Sequence, residues 1–379
     1  MNVVVIGGGY AGVMAANRLT RRDDVTVTLI NPRPVFVERL RLHQLVRGNH
    51  EAVVDYRDVL ADRVRLRTAT VDRIDAPART LTLTDGATVG YDYLVYAVGS
   101  GSPRAPEHAH PIATLEDARW LRPLVAAASA VTVVGAGPTG LETAAELAEA
   151  GHTVTLVCGD VLNPYLHTNG RRSVAGQLAR LGVRVVDGPG ASVTAVTPDT
   201  VRLADGRELP SPLTVWAAGF SVPDLATRSG LTTDDAGRLI TDETLTSVDD
   251  ATIVAAGDAA APSGRPYRMG CQSAIQLGPQ AAETVLSRIS GATPADAEVG
   301  FGGQCISLGR RAGIFQFARR DDRVLPLYLG GRPGAKLKEF VVAHTVKQLA
   351  DEARRPGARD LWIHDRNRAQ AVTAAAGVA

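Results

Sequence analysis

Apolar residues in this chain alternate between two regimes. Unbroken β-branched runs, Val3–Ile6 and Val131–Val134, end sharply at glycine, and each gives way to an alanine-rich stretch with apolar residues at helical spacing. Short apolar runs bounded by glycine predict strands covered on both faces, as in a parallel sheet. The stretches behind them predict helices over about residues 11–19 and 139–150, each followed by a second strand, Val25–Ile30 and Thr153–Val157. The same β-α-β unit is thus written twice, with its glycine turns 135 − 7 = 128 residues apart.

The pattern between the units is that of a hairpin. Thr80–Leu83 and Val89–Tyr91 flank the turn Asp85-Gly86 and lead into the apolar run Tyr93–Val98. The second half echoes it with Val201–Leu203, the turn Asp205-Gly206 and Leu213–Gly219. A third run, Thr252–Ala256, ends in Gly257-Asp258. A helix is predicted over 272–289, and strands near Gln304–Leu308 and Gly313–Phe317. A last helix carrying Leu337, Phe340, Val341, Val342, Val346 and Leu349 ends before Pro356. The alanine-rich tail after about Arg366 is expected to be loose.

Composition narrows the classes. The chain has 379 residues, enough for two or three cores, with 45% hydrophobic and 21% charged residues and a net charge of +1. No excess of positive charge points to a nucleic-acid partner. No apolar run is long enough to cross a bilayer. Met1 opens almost directly onto a core strand, so no signal peptide is expected and a cytoplasmic location is the default expectation. Cys158, Cys271 and Cys305 are far apart and form no CxxC pair, which argues against a disulfide scaffold or zinc site, and no metal is expected.

The glycine turns carry the chemistry. Gly7-Gly8-Gly9-Tyr10-Ala11-Gly12 and Gly135-Ala136-Gly137-Pro138-Thr139-Gly140 both fit GxGxxG between a strand and a helix. The first glycine makes the tight turn, the second leaves space for a pyrophosphate, and the third lets helix and strand pack closely. Two such turns predict two dinucleotides, the usual purpose being electron transfer between them. The acid that normally binds a ribose hydroxyl is absent from both units: Asn31 and Cys158 stand in its place. Asn31 can still hydrogen-bond a ribose. Arg171 and Arg172 could attract a 2′-phosphate or be surface charges, so NADH versus NADPH stays open. Asp258 could bind a sugar hydroxyl or cap the following helix.

The set formed by GGGYAG, the segment Tyr91–Ser100, the second turn with Leu141-Glu142, Trp216–Gly219 and Ala256-Gly257-Asp258 resembles the flavoproteins with two dinucleotide-binding domains. It is most similar to the type II NADH dehydrogenases and the apoptosis-inducing-factor-like oxidoreductases, over roughly residues 1–320. The resemblance implies an α/β fold: two doubly wound Rossmann-like domains and a C-terminal α+β segment. An FAD domain would comprise residues 1–112 and 247–300, an NAD(P)H domain 113–246, and an interface or dimerisation segment 301–379. It implies FAD on Gly7, Gly9, Tyr10, Ala11, Gly12, Asn31, Arg41, Val71, Ala97, Gly99, Gly257, Asp258 and Gln272. NADH or NADPH, the electron donor, would sit on Gly135, Gly137 and Gly140.

In that family the helix after Gly-Asp lies beside the flavin at the quinone site. Here Gln272 and Gln276, four apart, could hold a quinone oxygen or the flavin edge, or be surface glutamines. Glu142 could relay a proton near the nicotinamide, or be an acid favoured by the helix dipole. The segment Phe36–Gln44 departs from the family by its charge. Arg41 or His43 could lie by the flavin, or belong to a helix whose leucines, Leu40, Leu42 and Leu45, pack inward. Residues 337–349 could touch a membrane surface as a peripheral contact, or make a domain or homodimer contact. The expected reaction takes hydride from NAD(P)H to FAD and electrons on to a small-molecule acceptor, a quinone or quinone-like compound. Three alternatives stand: a sulfide or thiol oxidoreductase using Cys271 and Cys305, a flavoenzyme holding a small anionic metabolite on Arg41, and a non-catalytic FAD-binding redox sensor.

Overall fold

A computed structural model describes residues 1–379 except 103, 359–362, 366, 369, 371 and 373–379. The expectation of a loose tail after residue 366 lies mostly outside the described residues.

The first unit begins with β1 (Asn2–Ile6), α1 (Tyr10–Leu19) and β2 (Thr26–Asn31), followed by α2 (Leu42–Arg47), β3 (Val64–Thr68) and β4 (Tyr93–Tyr96). Strand β1 pairs in parallel with β2 on one side and β4 on the other, and β3 extends the sheet beyond β2. Val3, Val4 and Val5 are fully buried, as strands covered on both faces must be.

The second unit repeats the plan. It comprises β5 (Ala109–Pro111), α3 (Leu115–Ala127), β6 (Ala130–Val134), α4 (Pro138–Glu149), β7 (Thr153–Gly159), β8 (Arg184–Asp187) and β9 (Thr214–Trp216). Its parallel sheet runs β5-β9-β6-β7-β8. Each unit carries the hairpin expected at its Asp-Gly turn, extended by one further strand into an antiparallel three-stranded appendage over residues 71–90 and 193–210.

The chain then returns to the first unit through β10 (Leu239–Thr241), β11 (Ile253–Ala255) and β12 (Ala260–Pro262). Strand β11 pairs with β4, which completes the first sheet, and β10 pairs with β12. The boundaries differ from those drawn at 112 and 246. Strand β5 is hydrogen-bonded to β9, so the crossing into the second sheet comes before residue 109. Leu225, Ala226, Leu231 and Leu239 pack with Val4, Ile6 and Tyr96 of the first unit, so the return comes before residue 225. Those boundaries followed from the family resemblance, whereas the strand pairing and the apolar contacts decide membership.

Helix α5 (Cys271–Ile289) packs on α1. A C-terminal sheet of β13 (Gly303–Ser307), β14 (Gly313–Ala318) and β15 (Val324–Gly330) precedes the last helix, α6 (Gly331–Arg354). The inward stripe of α6 is Gly334, Lys338, Val342, Thr345, Leu349 and Glu352, whereas Phe340 is exposed. The helix packs on α1, where Glu352 pairs with the buried Arg18, and on the C-terminal sheet. Residues 337–349 therefore make a contact within this chain. Among the described residues no helix is long and apolar enough to cross a membrane.

Candidate active site

Both glycine turns have the same geometry. Gly7 and Gly135 take φ of +100° and +111°, a region that side chains rarely enter. A Cβ on Gly12 would stand 1.8 Å from the Gly7 carbonyl oxygen, and one on Gly140 1.8 Å from that of Gly135, so helix and strand close on each other there. By contrast, a Cβ on Gly9 or Gly137 would meet nothing within 4 Å. Each middle glycine thus faces open space, which is where a pyrophosphate fits.

The helices behind the turns are built for an anion. Gly9 caps α1 and Gly137 caps α4 with no side-chain hydrogen bond, and neither helix carries an acid in its first turn. Helix α3 is the contrast: Thr114 and Asp117 form a reciprocal capping box there, with Glu116 beside them. Free N–H groups and the positive helix end remain at α1 and α4 for a phosphate. The residues present therefore fit one dinucleotide at each turn.

Around the first turn the structure adds residues that the sequence pattern did not mark. Asn31 Oδ1 accepts from Gly8 N at 2.9 Å, and its Nδ2 donates to the Arg33 carbonyl at 2.8 Å. Both amide atoms of Asn31 thus brace the loop, and each keeps capacity for one further hydrogen bond. Tyr56 holds the next peptide of the same loop, its hydroxyl donating to Gly8 O at 2.8 Å. Gly257 lies 3.0 Å, as a built Cβ, from Ala11 Cβ, which sets the Gly257-Asp258 loop against α1. Asp258 accepts from Gly270 N, at the head of α5, at 2.9 Å and from Ser100 Oγ at 2.6 Å. Arg39 donates to that serine's Oγ at 2.9 Å and to its carbonyl at 2.8 Å. Asp258 thus holds the loop residue that precedes α5 without capping the helix itself, and it stays partly exposed beside the first turn. Ala97 and Gly99 follow β4, and the Ala97 carbonyl is the group that a Gly7 side chain would strike. The ring of Tyr10 packs edge-on against Phe36, with centroids 5.0 Å apart. Val71 is buried with Ile6, Ile30 and Leu83, so its side chain belongs to the core and only its main chain is left for a cofactor.

Three expected contacts are redirected. Arg41 is buried in an ion network, with Nη1 donating to Gln44 Oε1 at 3.0 Å, Nη2 to Glu339 and Nε towards Glu38 at 3.4 Å. A buried guanidinium needs such partners, which leaves Arg41 committed away from any ligand. Gln276 is buried; its Nε2 donates to the Gln272 carbonyl at 2.8 Å and to Gly300 O at 3.1 Å. The Gln272 amide, oriented so that both ends are satisfied, pairs with Gly302 N and Gly303 O, each at 3.1 Å. The two glutamines thus tie α5 to the segment entering β13, as its main-chain groups need partners there. Leu42 and Leu45 do pack inward, against Leu141 of α4.

Glu142, one turn into α4, sits at the centre of a buried cluster. Its Oε1 accepts from Ser307 N at 3.0 Å and faces Lys338 Nζ at 2.8 Å; its Oε2 lies 3.6 Å from His43 Nδ1. Burial pushes this carboxyl up, but Lys338, then His43 and the Ser307 N–H, outweigh it and bring its pKa below the ordinary value. Burial works against charge on Lys338 as well, and the facing Glu142 more than offsets it, so the ammonium is held above its ordinary value. His43 is pushed down to about 4, chiefly by burial, and its Nε2 has no partner. The thiols of Cys271 and Cys305 both lie within electrostatic reach of Lys338 and of each other, and burial holds them protonated, Cys271 at about 12. Cys158 is apart from this cluster, near Asp187, and burial raises it too.

Residues 1–284 match the pyridine nucleotide-disulphide oxidoreductase family. An NADH dehydrogenase-like protein of Mycobacterium tuberculosis is 33% identical over 296 residues, covering 68% of this chain and 72% of that one. A type II NADH:quinone oxidoreductase of the same organism is 30% identical over 349 residues, covering 78% and 74%. Among solved structures, the NDH2 of Plasmodium falciparum in complex with NADH superposes with a TM-score of 0.77 at 15% identity, over 93% of this chain and 96% of that one. The sulfide:quinone oxidoreductase of Aquifex aeolicus gives 0.76 at 21%, over 93% and 92%. At these identities the last two show the fold alone.

Proposed function

This chain belongs to the pyridine nucleotide-disulphide oxidoreductase family and is an NAD(P)H-dependent flavin oxidoreductase, and from that premise we propose that its electron acceptor is a quinone. The observation that carries the two-dinucleotide reading is the pair of uncapped, acid-free helix ends behind matching glycine turns. FAD would lie at Gly7, Gly9 and Gly12, beside Asp258, and the nicotinamide dinucleotide at Gly135, Gly137 and Gly140. The chemistry that FAD supplies when bound is acceptance of a hydride from the nicotinamide and release of the electrons to a second acceptor.

The protein's own groups orient and hold charge. Asn31 and Tyr56 fix the two peptides that flank Gly8, which sets the direction of the neighbouring N–H groups. Glu142 stays ionised, and the buried Lys338 Nζ holds a proton against it. A quinone reduced by a hydride equivalent takes up one further proton, and this pair can supply it. The relatives named for quinone support this acceptor. Steady-state oxidation of NADH and NADPH with menadione tests the proposal. Turnover with menadione is expected, slowed at least tenfold in kcat by Lys338→Met with KM for the nicotinamide unchanged. Absence of menadione turnover in flavin-loaded protein overturns it.

One observation favours a second reading. Cys271 and Cys305 share the neighbourhood of Lys338, which would suit sulfur chemistry at the same place. It requires sulfide-dependent menadione reduction without a nicotinamide, abolished by Cys271→Ser or Cys305→Ser. The quinone reading instead has NADH-driven turnover survive both substitutions.

A further inference from the structure

A cleft of about 460 Å³ opens where the β13–β14 turn meets the first turns of α6. Arg310 and Arg311 line it from the turn, and Arg332, Lys336 and Lys338 from the helix, against a single lining carboxylate, Glu339. That carboxylate is already engaged by Arg41 and Arg310. Among the described residues, Arg311, Arg332 and Lys336 have no ion-pair partner. Helix α6 points its N-terminus here, capped by Gly330 without a side-chain bond and with no acid in its first turn. The helix end adds positive potential, although Pro333 in its first turn offers no N–H. The floor carries an independent sign of a missing ligand. Ser307 is 6% exposed, it lines the cleft, and its hydroxyl has no hydrogen-bond partner. A buried hydroxyl left unpaired is unfavourable, and turning it toward an acceptor atom in the cleft would satisfy it.

We propose that this cleft is a binding site for a small soluble molecule carrying two or more closely spaced negative charges, as phosphate or carboxylate groups. Its volume falls in the range of small-molecule sites, about 300–1,000 Å³. Paired oxyanions match the spread of guanidinium and ammonium groups better than a single charge does. The site is separate from both glycine turns. Along α4, Lys338 is met at Glu142 and Arg310 at Glu146. These lie on the order of 7 and 13 Å along the axis from Gly137, at 1.5 Å per residue. The floor residues Ser307 and Lys338 are the two that hold Glu142, so an occupant would bear directly on the buried pair.

Calorimetric titration of the flavin-loaded protein with inorganic pyrophosphate, and separately with citrate, at constant ionic strength tests this. Saturable one-to-one binding is expected. It should weaken at least tenfold in Arg332→Ala/Lys336→Ala and remain unchanged in Arg65→Ala, which alters an exposed charge on β3. Flavin content and reduction by NADH should be intact in all three proteins, so failure here is separable from failure of the oxidoreductase reading. Equal affinity in the double variant overturns the proposal. So does binding abolished by saturating NAD⁺, which would place pyrophosphate in the nucleotide cradle, and so does the absence of any saturable signal.

Discussion

Burial holds His43 neutral, 3.6 Å from Glu142 and with Nε2 unpartnered, and its pKa is pushed down to about 4 from 6.5. Below pH 6.5 the unfolded chain takes up a proton that the native chain refuses, so stability falls as the pH drops and rises again as the pH is raised. Two and a half units amount to about 3 kcal/mol over the whole window from 6.5 to 4. Between pH 6.5 and 5, above the range where the lowered Glu142 titrates, His43 contributes to this slope alongside His110, which burial also lowers, and Glu146, which burial raises. His43→Leu should flatten the dependence of the urea midpoint on pH in that interval; identical slopes in the two proteins would refute the account of this cluster. Little of the cluster was legible in the sequence. Residues 43, 142, 307 and 338 meet only through tertiary packing, and no local spacing links them. Arg41 shows the complementary failure: a charge in an apolar segment suggested a ligand contact, and Glu38, Gln44 and Glu339 turn out to satisfy it.

At the scale of elements the sequence was far more informative. The β-branched runs and GxGxxG turns mark β1, α1, β6 and α4 because their constraints are local: a positive φ, a close helix–strand contact and a strand covered on both faces. The glycines also separate fold from binding. Gly12→Ala would force a Cβ to 1.8 Å from the Gly7 carbonyl oxygen, so both thermal stability and flavin content should fall. Gly9→Ala and Gly137→Ala meet open space. The first should lose flavin affinity at least tenfold, and the second should raise KM for the nicotinamide at least tenfold, each with the apoprotein melting temperature unchanged. Melting curves with flavin absorbance and steady-state kinetics separate these outcomes, and equal destabilisation by all three would contradict the assigned geometry. Helix α6 was legible in existence but not in phase. Its apolar residues did not mark which face turns inward: Phe340 is exposed, and the stripe through Val342 and Leu349 at helical spacing selects Lys338 and Thr345. A lysine on that stripe is the signal that could have revealed the partner of Glu142.

The whole molecule is two nucleotide-binding sheets bound together by the C-terminal part of the chain. Strand β11 completes the first sheet, α5 packs on α1, and α6 reaches from Arg18 of the first unit to Glu142 of the second. The repeated plan could be read from the sequence because it is written twice. The crossing points could not, since β5 and residues 225–239 are assigned by pairing and apolar contact rather than by local pattern. The proposed function has electrons cross between the two dinucleotides. Anaerobic titration of the flavin-loaded protein with NADH or NADPH, monitored by the oxidised-flavin absorbance, tests that most directly. Stoichiometric bleaching by at least one of the two nicotinamides is the predicted result; a flavin that both leave oxidised, or a protein that takes up no flavin, would contradict the account.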